Sequence, residues 1–574
     1  MMLLPRKPAP SRRSSALPLR AKIDLLHSIL LARMTLLLLF VFAWIVYLQW
    51  MGGGYSAEFI GYPDEAAHYV SGLMVHDYLI SLDLFSPLEF AQRFAEHYPK
   101  VAIGHWPPVF YGLQAVWMIL FSVSRWSMML FMATAAILIV VCLATWLYKE
   151  FGWAEAIAGS VLLVSAPLVQ EYTRMVMAEL PVALFMIAAV FSFAHYLRTE
   201  NWKSSLLFAL CASLAIMTKQ TGLALALLPL LAVLFTGRFG VLLRFSFWLP
   251  ALVVAVLCAP WYVLTYNMAH EGWEPATGVT VLWDPPTGAS ISLADEMNAP
   301  DISELIASAV GPAVRNALFI GEVIGVALIP FIMLGLYAQL VRPWQRPPVP
   351  AAWGTMAALL MSIWLFLSFV APVGEPRHMV SAAPALVAFA VAGGRFLASE
   401  LAAGAARPAT AAVLSIILVL FALSTFEIRP KPTLGSAAVA EFILSRPELA
   451  GQTLLVTSEG KGEGAIIAEL AMLEERPGHR ILRATKIFAD SNWSGSFYKS
   501  KCNTPDCVLS LLEHYKVTSV IVQTYTPYQI HDLLHHSLLK RALDQSMRWT
   551  DITPELISRA KQMVGYTVYE AKGT

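Results

Sequence analysis

Long apolar runs without charged residues alternate with short polar segments along most of this chain. A helix of about 20 apolar residues crosses the hydrocarbon core of a membrane, so runs of this length predict membrane-spanning helices. We place these helices at residues 34–54, 127–148, 154–170, 181–197, 204–218, 220–236, 246–265, 317–338, 352–371, 379–397 and 410–426. The pattern predicts a polytopic α-helical membrane protein with about 11 spans.

The pattern changes after residue 427. The segments "TLLVTS", "RILRA" and "TSVIVQ" read as strands, whereas "GEGAIIAELAMLEE" and "DCVLSLLEHY" have helical spacing. Such alternation predicts a small soluble α/β domain. We therefore divide the chain into a basic N-terminus (1–33), a membrane domain (34–426) and an α/β domain (427–574).

Composition and charge agree with this division and add an orientation. The 574 residues are 57% hydrophobic and only 14% charged, which excludes an ordinary soluble protein. Basic residues crowd the N-terminus ahead of the first run: Arg6, Lys7, Arg12, Arg13, Arg20, Lys22 and Arg33. Since basic segments stay on the cytoplasmic side, we expect the N-terminus inside. A cleaved secretory signal is the alternative, but no clear cleavage site follows the first run.

Residues 105–123 are apolar enough to count as a further span, and counting them would reverse the membrane orientation of every later span. Leaving them out keeps the later basic residues on the cytoplasmic side: Lys149, Arg198, Lys203, Arg238, Arg244, Arg342, Arg346 and Arg407. We therefore expect 105–123 to form a helix at the outer interface, together with an extracytoplasmic C-terminal domain. The predicted location is a bacterial inner membrane.

Two adjacent acids follow the first span in "YPDEAAHYV", and polar motifs recur in the other outer loops. These are "HWPPVFYGL" (105–113), "RMVMAELPVALF" (174–185), "IMTKQTGLALALLPLL" (216–231), "CAPWYV" (258–263) and "EPRHMVSAAPAL" (375–386). In this order they resemble the motifs of the polyprenol-dependent glycosyltransferases of the GT-C superfold, which include protein mannosyltransferases and the lipid A aminoarabinose transferase. Two positions depart from that pattern, with Glu179 where Asp is usual and His378 where Tyr is usual.

The resemblance implies transfer of a sugar from a polyprenyl phosphate-linked donor, and the residue types suit that chemistry. Transfer needs a base or carboxylate for the incoming nucleophile and cations for the leaving phosphate. Asp64 is the candidate base, with Glu65 as a second catalytic acid and His68 to orient it. Asp64 as a simple helix cap after Pro63 is the alternative.

Two cations are candidates for the donor phosphate. Lys219 interrupts a long uncharged run, where a cation must face water, protein or an anion; a lysine that merely extends to the interface is the alternative. Arg377 suits bidentate phosphate binding but could instead form a surface pair with Glu375. Glu179 and His378 are candidates for orienting groups or acceptor contacts, although Glu179 could equally compensate a helix dipole.

A divalent metal is the one cofactor considered, because some members of the superfold use one. His105 and Glu171, with Glu65 and Glu179, lie on the expected outer side, yet no tight ligand spacing supports a metal site. His105 as an interfacial histidine is the alternative. The polar, aromatic loop 272–288 is compatible with a lid or with a plain connector.

The five cysteines divide between the two domains. Cys142, Cys211 and Cys258 lie inside predicted spans, where packing explains them. In "CNTPDC" an oxidising compartment would allow a local disulfide between Cys502 and Cys507, and the sequence leaves its formation open.

The expected partners are a polyprenyl phosphate-sugar donor, membrane lipids, and a glycolipid, glycan or protein acceptor; no nucleic acid is expected. A transporter or flippase is the second function class, with the same acids as ion-coupling residues. A non-enzymatic scaffold is the third and would leave the ordered motifs unexplained. Transport predicts charges near mid-membrane and two related halves, whereas transfer predicts one outer site.

Overall fold

The computed structural model describes residues 19–572 apart from 83–84, 103, 271–301, 343–347, 372–373, 403–405, 491–497, 525–532 and 561–563. The side chains of the basic N-terminal residues before Arg33 lie outside the described part, as does the predicted 272–288 loop. In the described part, helices occupy the chain up to residue 424, and every described strand comes after residue 452.

The helices before residue 425 form the membrane region and its outer loop. They are α1 (Leu19–Met51), α2 (Glu65–Ser81), α3 (Pro87–His97), α4 (Val109–Leu120), α5 (Arg125–Glu150), α6 (Trp153–Ser165), α7 (Pro167–Thr173), α8 (Glu179–Thr199), α9 (Trp202–Thr218), α10 (Leu228–Thr236), α11 (Phe245–His270), α12 (Ile302–Ile324), α13 (Ile329–Leu336), α14 (Ala351–Leu365), α15 (Ala383–Leu401) and α16 (Ala406–Ser424). Short 3₁₀ or π turns lie between or extend them at Gln220–Ala226, Phe239–Leu243, Val326–Leu328, Tyr337–Val341, Phe366–Val370 and Pro376–Ala382.

Six helical segments among the described residues are long and apolar enough to cross a membrane. They are Ser28–Met51, Arg125–Glu150, Glu179–Thr199, Phe245–Met268, Ala351–Val370 and Pro376–Leu401. Two bent pairs would raise the number to 8, and shorter apolar helices follow at Trp202–Thr218, Gln220–Thr236 and Pro408–Ser424. Each predicted span position thus carries helix, which confirms a polytopic helical fold.

Two predicted spans are not single straight helices. The run at 154–170 bends by 66° between α6 and α7, where Pro167 forces the preceding Ala166 out of helical geometry. The run at 317–338 bends by 101° after α12. Gly325 occupies the bend with φ 90°, a conformation that glycine adopts without the steric cost of a side chain. Hydropathy alone does not register such breaks.

Residues 105–123 form the 12-residue helix α4 and not a span. At about 1.5 Å per residue its length is roughly 18 Å, well short of the hydrocarbon thickness of about 30 Å. The helix packs on α2, with Gln114 donating to the carbonyl of His68 at 3.3 Å. The loop between α1 and α5 is therefore a folded layer of α2, α3 and α4 at one end of the bundle.

The C-terminal part contains a five-stranded mixed sheet of order β2-β1-β5-β7-β6. Its elements are α17 (Ser436–Leu444), β1 (Thr453–Thr457), α18 (Gly460–Leu473), β2 (Arg480–Arg483), α19 (Ala484–Ile487), β3 (Ala489–Asp490), β4 (Lys499–Ser500), α20 (Pro505–His514), β5 (Val517–Gln523), α21 (Leu534–Gln545), β6 (Trp549–Asp551), α22 (Thr553–Arg559) and β7 (Tyr566–Ala571), with a 3₁₀ turn at Pro447–Leu449. Strands β2, β1 and β5 are parallel, β7 runs antiparallel to β5, and β6 at the sheet edge runs antiparallel to β7. The three predicted strands and two predicted helices are present, and Cys502 and Cys507 form a disulfide.

One face of this sheet joins the core of the membrane region. Leu454 and Val456 of β1 belong to the same buried cluster as Phe59 and Tyr69 of the outer loop, whereas Leu455 faces a separate cluster with α20 and α21. The alternation follows from the two-residue period of a strand. Direct ion pairs strengthen the contact, with Arg125 bound to Glu469 at 2.5 Å. The α/β domain is thus packed on the outer-loop layer.

The bundle has two chemically different ends. The α/β domain, the outer-loop layer and the start of α8 lie at one end. The opposite end carries basic residues that the sequence analysis predicts on the cytoplasmic side, each at or just beyond the end of a helix: Lys149, Arg198, Lys203, Arg238, Arg244 and Arg342. This distribution agrees with the predicted parity of the spans.

Candidate active site

Four separate chain segments bring the predicted site residues together, each at the end of a helix. Asp64 immediately precedes α2, Glu179 is the first residue of α8, and Lys219 immediately follows α9. Arg377 lies in the 3₁₀ turn Pro376–Ala382 that leads into α15. Helix ends leave backbone groups unpaired and lie at the boundary of the membrane region, where charged side chains are tolerated.

Arg377 is the centre of the cluster. Its Nη1 lies 2.8 Å from Asp64 Oδ2 and 3.9 Å from Glu179 Oε1, and its Nε donates to Glu375 Oε2 at 2.6 Å. The guanidinium also covers the Tyr62 ring, with Cζ 4.0 Å from the ring centroid, and Tyr62 donates its hydroxyl to Glu375 at 2.7 Å. The pair with Glu375 that the sequence left open is thus present, with 14% of the Arg377 side chain and 40% of the Glu375 side chain exposed.

Lys219 and Glu179 form the second part of the cluster. Lys219 Nζ lies 2.5 Å from Glu179 Oε1, and the two side chains are 7% and 2% exposed. A buried charge needs a partner of opposite sign, and Lys219 and Glu179 are such partners for each other. The second oxygen of Glu179 is buried without a hydrogen-bond partner among the described residues. It is therefore a free acceptor beside two cations.

Asp64 occupies the N-cap position of α2 but makes no capping hydrogen bond with its side chain. The alternative of a simple cap is thus not what the geometry favours. Burial acts to raise the pKa of Asp64, but Arg377, together with smaller effects of His68 and His105, holds that pKa below its usual value. With Arg377 in place, Asp64 is an ionised carboxylate and a weak base.

Aromatic rings enclose the two histidines of this region. The His68 ring stacks 4.2 Å from Trp106, and its Nδ1 lies 3.0 Å from the Tyr111 hydroxyl. Burial lowers the pKa of His68 to about 3, although Asp64 and Glu179 act in the opposite direction. His68 is therefore neutral at physiological pH and supports Asp64 by packing and not by charge. His105 packs edge-on against Trp106 at 4.3 Å.

His378 lies beside the same cluster. Its Nε2 is 3.6 Å from Glu375 Oε2, beyond hydrogen-bond distance, and both ring nitrogens are buried without a hydrogen-bond partner among the described residues. The two ring nitrogens of His378 and the second oxygen of Glu179 are therefore unpaired polar atoms of the cluster. Such atoms are costly when buried, so each is a place where a water or a bound ligand can supply a hydrogen bond.

Glu65 and Glu171 do not join the cluster. The Glu65 carboxylate is fully buried, pairs with Lys431 at 2.6 Å and accepts the backbone N–H of Gly61 at 2.8 Å. Glu171, in α7, interacts electrostatically with Arg174 and not with another acid. Lys431 and Tyr62 were missed by the sequence analysis. Lys431 lies between Pro430 and Pro432, two residues after Arg429, and no pattern in the sequence distinguishes it from that neighbour.

The proposed metal ligands are not brought together. Within the described ranges no group of three or more histidines, cysteines, aspartates or glutamates lies close enough to hold a metal ion. Glu65 and Glu179 are each bound by a lysine ammonium, so neither offers an open pair of oxygens. These residues do not fit a metal, and no step below involves one.

The arrangement resembles known proteins in part of its sequence and in its fold. Residues 105–264 match the family model described as dolichyl-phosphate-mannose-protein mannosyltransferase. The structure of ArnT from Cupriavidus metallidurans bound to undecaprenyl phosphate is similar, with a TM-score of 0.57 and 14% identity over 92% of this chain and 97% of that one. AglB from Archaeoglobus fulgidus, in complex with an inhibitory peptide and a dolichol-phosphate, has a TM-score of 0.48 and 13% identity over 85% of this chain and 69% of that one. No curated protein matches the chain significantly.

The likeness to ArnT agrees with the GT-C fold that the order of the six motifs predicted. The family match covers residues 105–264 only, whereas the likeness in fold covers most of the chain.

The neutral, buried His68 predicts a dependence of stability on pH. The pKa of His68 falls from its ordinary value of 6.5 to about 3 on folding, so below pH 6.5 the unfolded chain binds a proton that the folded protein does not. Stability is then highest above pH 6.5, and the loss reaches about 2 kcal/mol at pH 5.

The measurement is the melting temperature of the purified protein in detergent at pH 7 and pH 5. His68→Gln should reduce the drop between the two pH values, whereas His195→Gln, at an exposed position, should not. An unchanged drop in His68→Gln would contradict the prediction.

Proposed function

We propose that this protein is an inverting glycosyltransferase that moves a sugar from a polyprenyl phosphate-linked donor to a lipid, glycan or protein acceptor. One observation carries the proposal: two buried cations, Arg377 and Lys219, share one cluster with Asp64 at the helix ends. A leaving phosphate needs such cations, and the attacking group needs such a carboxylate.

The donor phosphate would compete with Asp64 for Arg377. In the structure Arg377 is held by carboxylates, and a phosphate oxygen between Arg377 and Lys219 offers the same kind of charge-assisted bond. A guanidinium that turns toward the phosphate weakens its contact with Asp64. Because Arg377 is what depresses the pKa of Asp64, the carboxylate becomes a better base when the donor is bound.

In the transfer step Asp64 would accept the proton of an acceptor hydroxyl as the new glycosidic bond forms. The bond between the anomeric carbon and the phosphate oxygen breaks, and the electron pair leaves with the polyprenyl phosphate. Arg377 and Lys219 stabilise the growing charge on that phosphate. Attack opposite to the leaving group inverts the configuration at the anomeric carbon.

The same geometry disfavours the transporter alternative. A coupling site in a transporter lies near the middle of the membrane and opens to each side in turn. Asp64, Lys219 and Arg377 instead lie at helix ends on the side of the bundle that carries the α/β domain. The family match over residues 105–264 likewise favours transfer.

The site and the α/β domain are proposed to face the outer side of a bacterial inner membrane. The support is the basic character of the opposite end, with Lys149, Arg198 and Lys203 at the helix ends there. A cysteine introduced at the exposed Met547 should react with a membrane-impermeant reagent in intact cells whose outer membrane has been permeabilised. Protection until the inner membrane is broken would reverse the orientation.

Loss of either cation should weaken donor binding. Lys219→Met and Arg377→Gln each remove a charge-assisted contact worth roughly 1.5–3 kcal/mol, or about one to two decades in affinity. The measurement is the affinity of the purified full-length protein for undecaprenyl phosphate.

Arg395→Gln is the matched control. Arg395 pairs with Glu155 at 2.7 Å but lies 18 residues after Arg377, about 27 Å along a helix. The control should bind as the wild type does. Wild-type affinity in both Lys219→Met and Arg377→Gln would make these residues structural cations only.

Asp64→Asn should abolish most turnover with little loss of folded protein. The amide keeps the size of the side chain but cannot accept a proton, so turnover should fall by about two to four decades while undecaprenyl phosphate still binds. The product is followed by mass spectrometry of envelope glycolipids and glycoproteins from cells with and without the active chain.

Asp77→Asn, on the same helix α2 but distant from the cluster, is the control and should retain turnover. Near-wild-type turnover by folded Asp64→Asn would remove Asp64 from the mechanism. If Asp64→Asn loses turnover with a hydroxyl acceptor but not with an acceptor that is already ionised, Asp64 is needed only for removing the proton.

A further inference from the structure

A lysine from the linker between α16 and α17, residues 425–435, lies directly behind the candidate active site. Lys431 Nζ binds Glu65 Oε1 at 2.6 Å, and the two side chains are 3% and 0% exposed. Glu65 is the chain neighbour of Asp64. The linker therefore places a buried cation against the residue that follows the proposed base in the chain.

Glu65 connects two segments that carry site residues. Its Oε2 accepts the N–H of Gly61 at 2.8 Å, and its Oε1 accepts the N–H of Val176 at 3.2 Å. Gly61 lies three residues before Asp64, and Val176 lies three residues before Glu179. One carboxylate thus fastens the Asp64 segment to the Glu179 segment.

The surroundings hold Lys431 in place from the other side. Its backbone N–H donates to the carbonyl of Gly52 at the end of α1 at 2.9 Å, and Leu434 donates its N–H to Glu58 at 3.1 Å. Pro430 and Pro432 flank Lys431 and restrict its backbone to extended geometry. A side chain at Gly61 would collide with Met175 and reach Lys431, so the close approach needs glycine.

We propose that Lys431 is a positioning residue for the active site, which acts by neutralising Glu65 so that this carboxylate can hold the Asp64 and Glu179 segments together. Since Lys431 belongs to the linker, the docked α/β domain forms part of the frame of the site. The inference rests on the proposed function for its consequence in catalysis, but its structural content can be measured separately.

The energetic argument concerns an uncompensated buried charge. Without Lys431, Glu65 stays fully buried with no cation, which is far more costly than the absence of both charges. The carboxylate then takes up a proton or moves, and its bonds to Gly61 and Val176 weaken. When Glu65 is changed to Gln as well, no charge remains buried, and the single amide oxygen can still accept one of the two N–H groups.

The test is hydrogen exchange of the full-length protein in detergent, measured by mass spectrometry over residues 58–66 and 170–180, together with undecaprenyl phosphate binding. Lys431→Met should accelerate exchange in both segments by about tenfold, and it should weaken binding. The double variant Glu65→Gln/Lys431→Met should restore both measurements to within about threefold of the wild type. Restoration would show that Glu65 positions the site and is not itself a reacting group.

Arg476→Gln is the matched control. Arg476 also joins the α/β domain to α2, through Asp77 at 2.6 Å and 3.0 Å, but Asp77 lies 12 residues after Glu65. The control should accelerate exchange near Asp77 and leave residues 58–66 and 170–180 unchanged. Where Lys431→Met does not yield folded protein, Glu65→Gln replaces it in the same comparison.

Unchanged exchange over residues 170–180 in Lys431→Met, or no restoration in the double variant, would overturn the inference. A wild-type protein that does not bind undecaprenyl phosphate would instead count against the proposed function. In that case the exchange measurement still decides the role of Lys431.

Discussion

The site depends on the buried pairing of Arg377 with Asp64, because this contact joins the segment before α2 to the turn that leads into α15. Their atoms lie 2.8 Å apart, and both side chains are 14% exposed. Glu375, Glu179 and Lys219 extend the pairing into a continuous set of opposite charges. A buried pair of this kind adds little net stability, since desolvation offsets the attraction, so stability alone does not explain it. Its value is that an incoming anion can exchange with a carboxylate at low cost.

The α/β domain takes part in this arrangement through the linker. Lys431 pairs with Glu65, and Arg125 pairs with Glu469 on α18. Two buried ion pairs therefore join the α/β domain and its linker to the rest of the chain. The shared apolar core on one face of the sheet explains why these contacts can be dry. In the role proposed for Lys431, this domain thereby limits the movement of Asp64, which precedes α2, and of Glu179, the first residue of α8.

Much of the fold could be predicted from the sequence because hydropathy reports which segments lie in lipid. The positions of the spans, the strands β1, β2 and β5, and the non-spanning character of α4 follow from run length, alternation and charge. The breaks at Ala166 and Gly325 could not be read from run length, because a bend keeps the composition of a straight helix. Strands β6 and β7 are short or interrupted by polar residues, and they are held by pairing, β7 with β5 and β6 with β7.

The site was predictable only through the resemblance of its motifs. Asp64 and Arg377 are separated by 313 positions, and no local pattern joins them. The ordered motifs named Asp64, Lys219, Glu179 and Arg377, and the structure brings these four together. Glu65 shows the limit of the approach, because its place in the motif suggested chemistry while its contacts are with Lys431 and backbone amides.

The most direct test of the central claim is an experimental structure of the full-length protein with undecaprenyl phosphate bound. The account predicts the phosphate within hydrogen-bond distance of Lys219 Nζ and the Arg377 guanidinium, with Arg377 moved away from its 2.8 Å contact with Asp64. A phosphate bound elsewhere, with the contact between Arg377 and Asp64 intact, would contradict it.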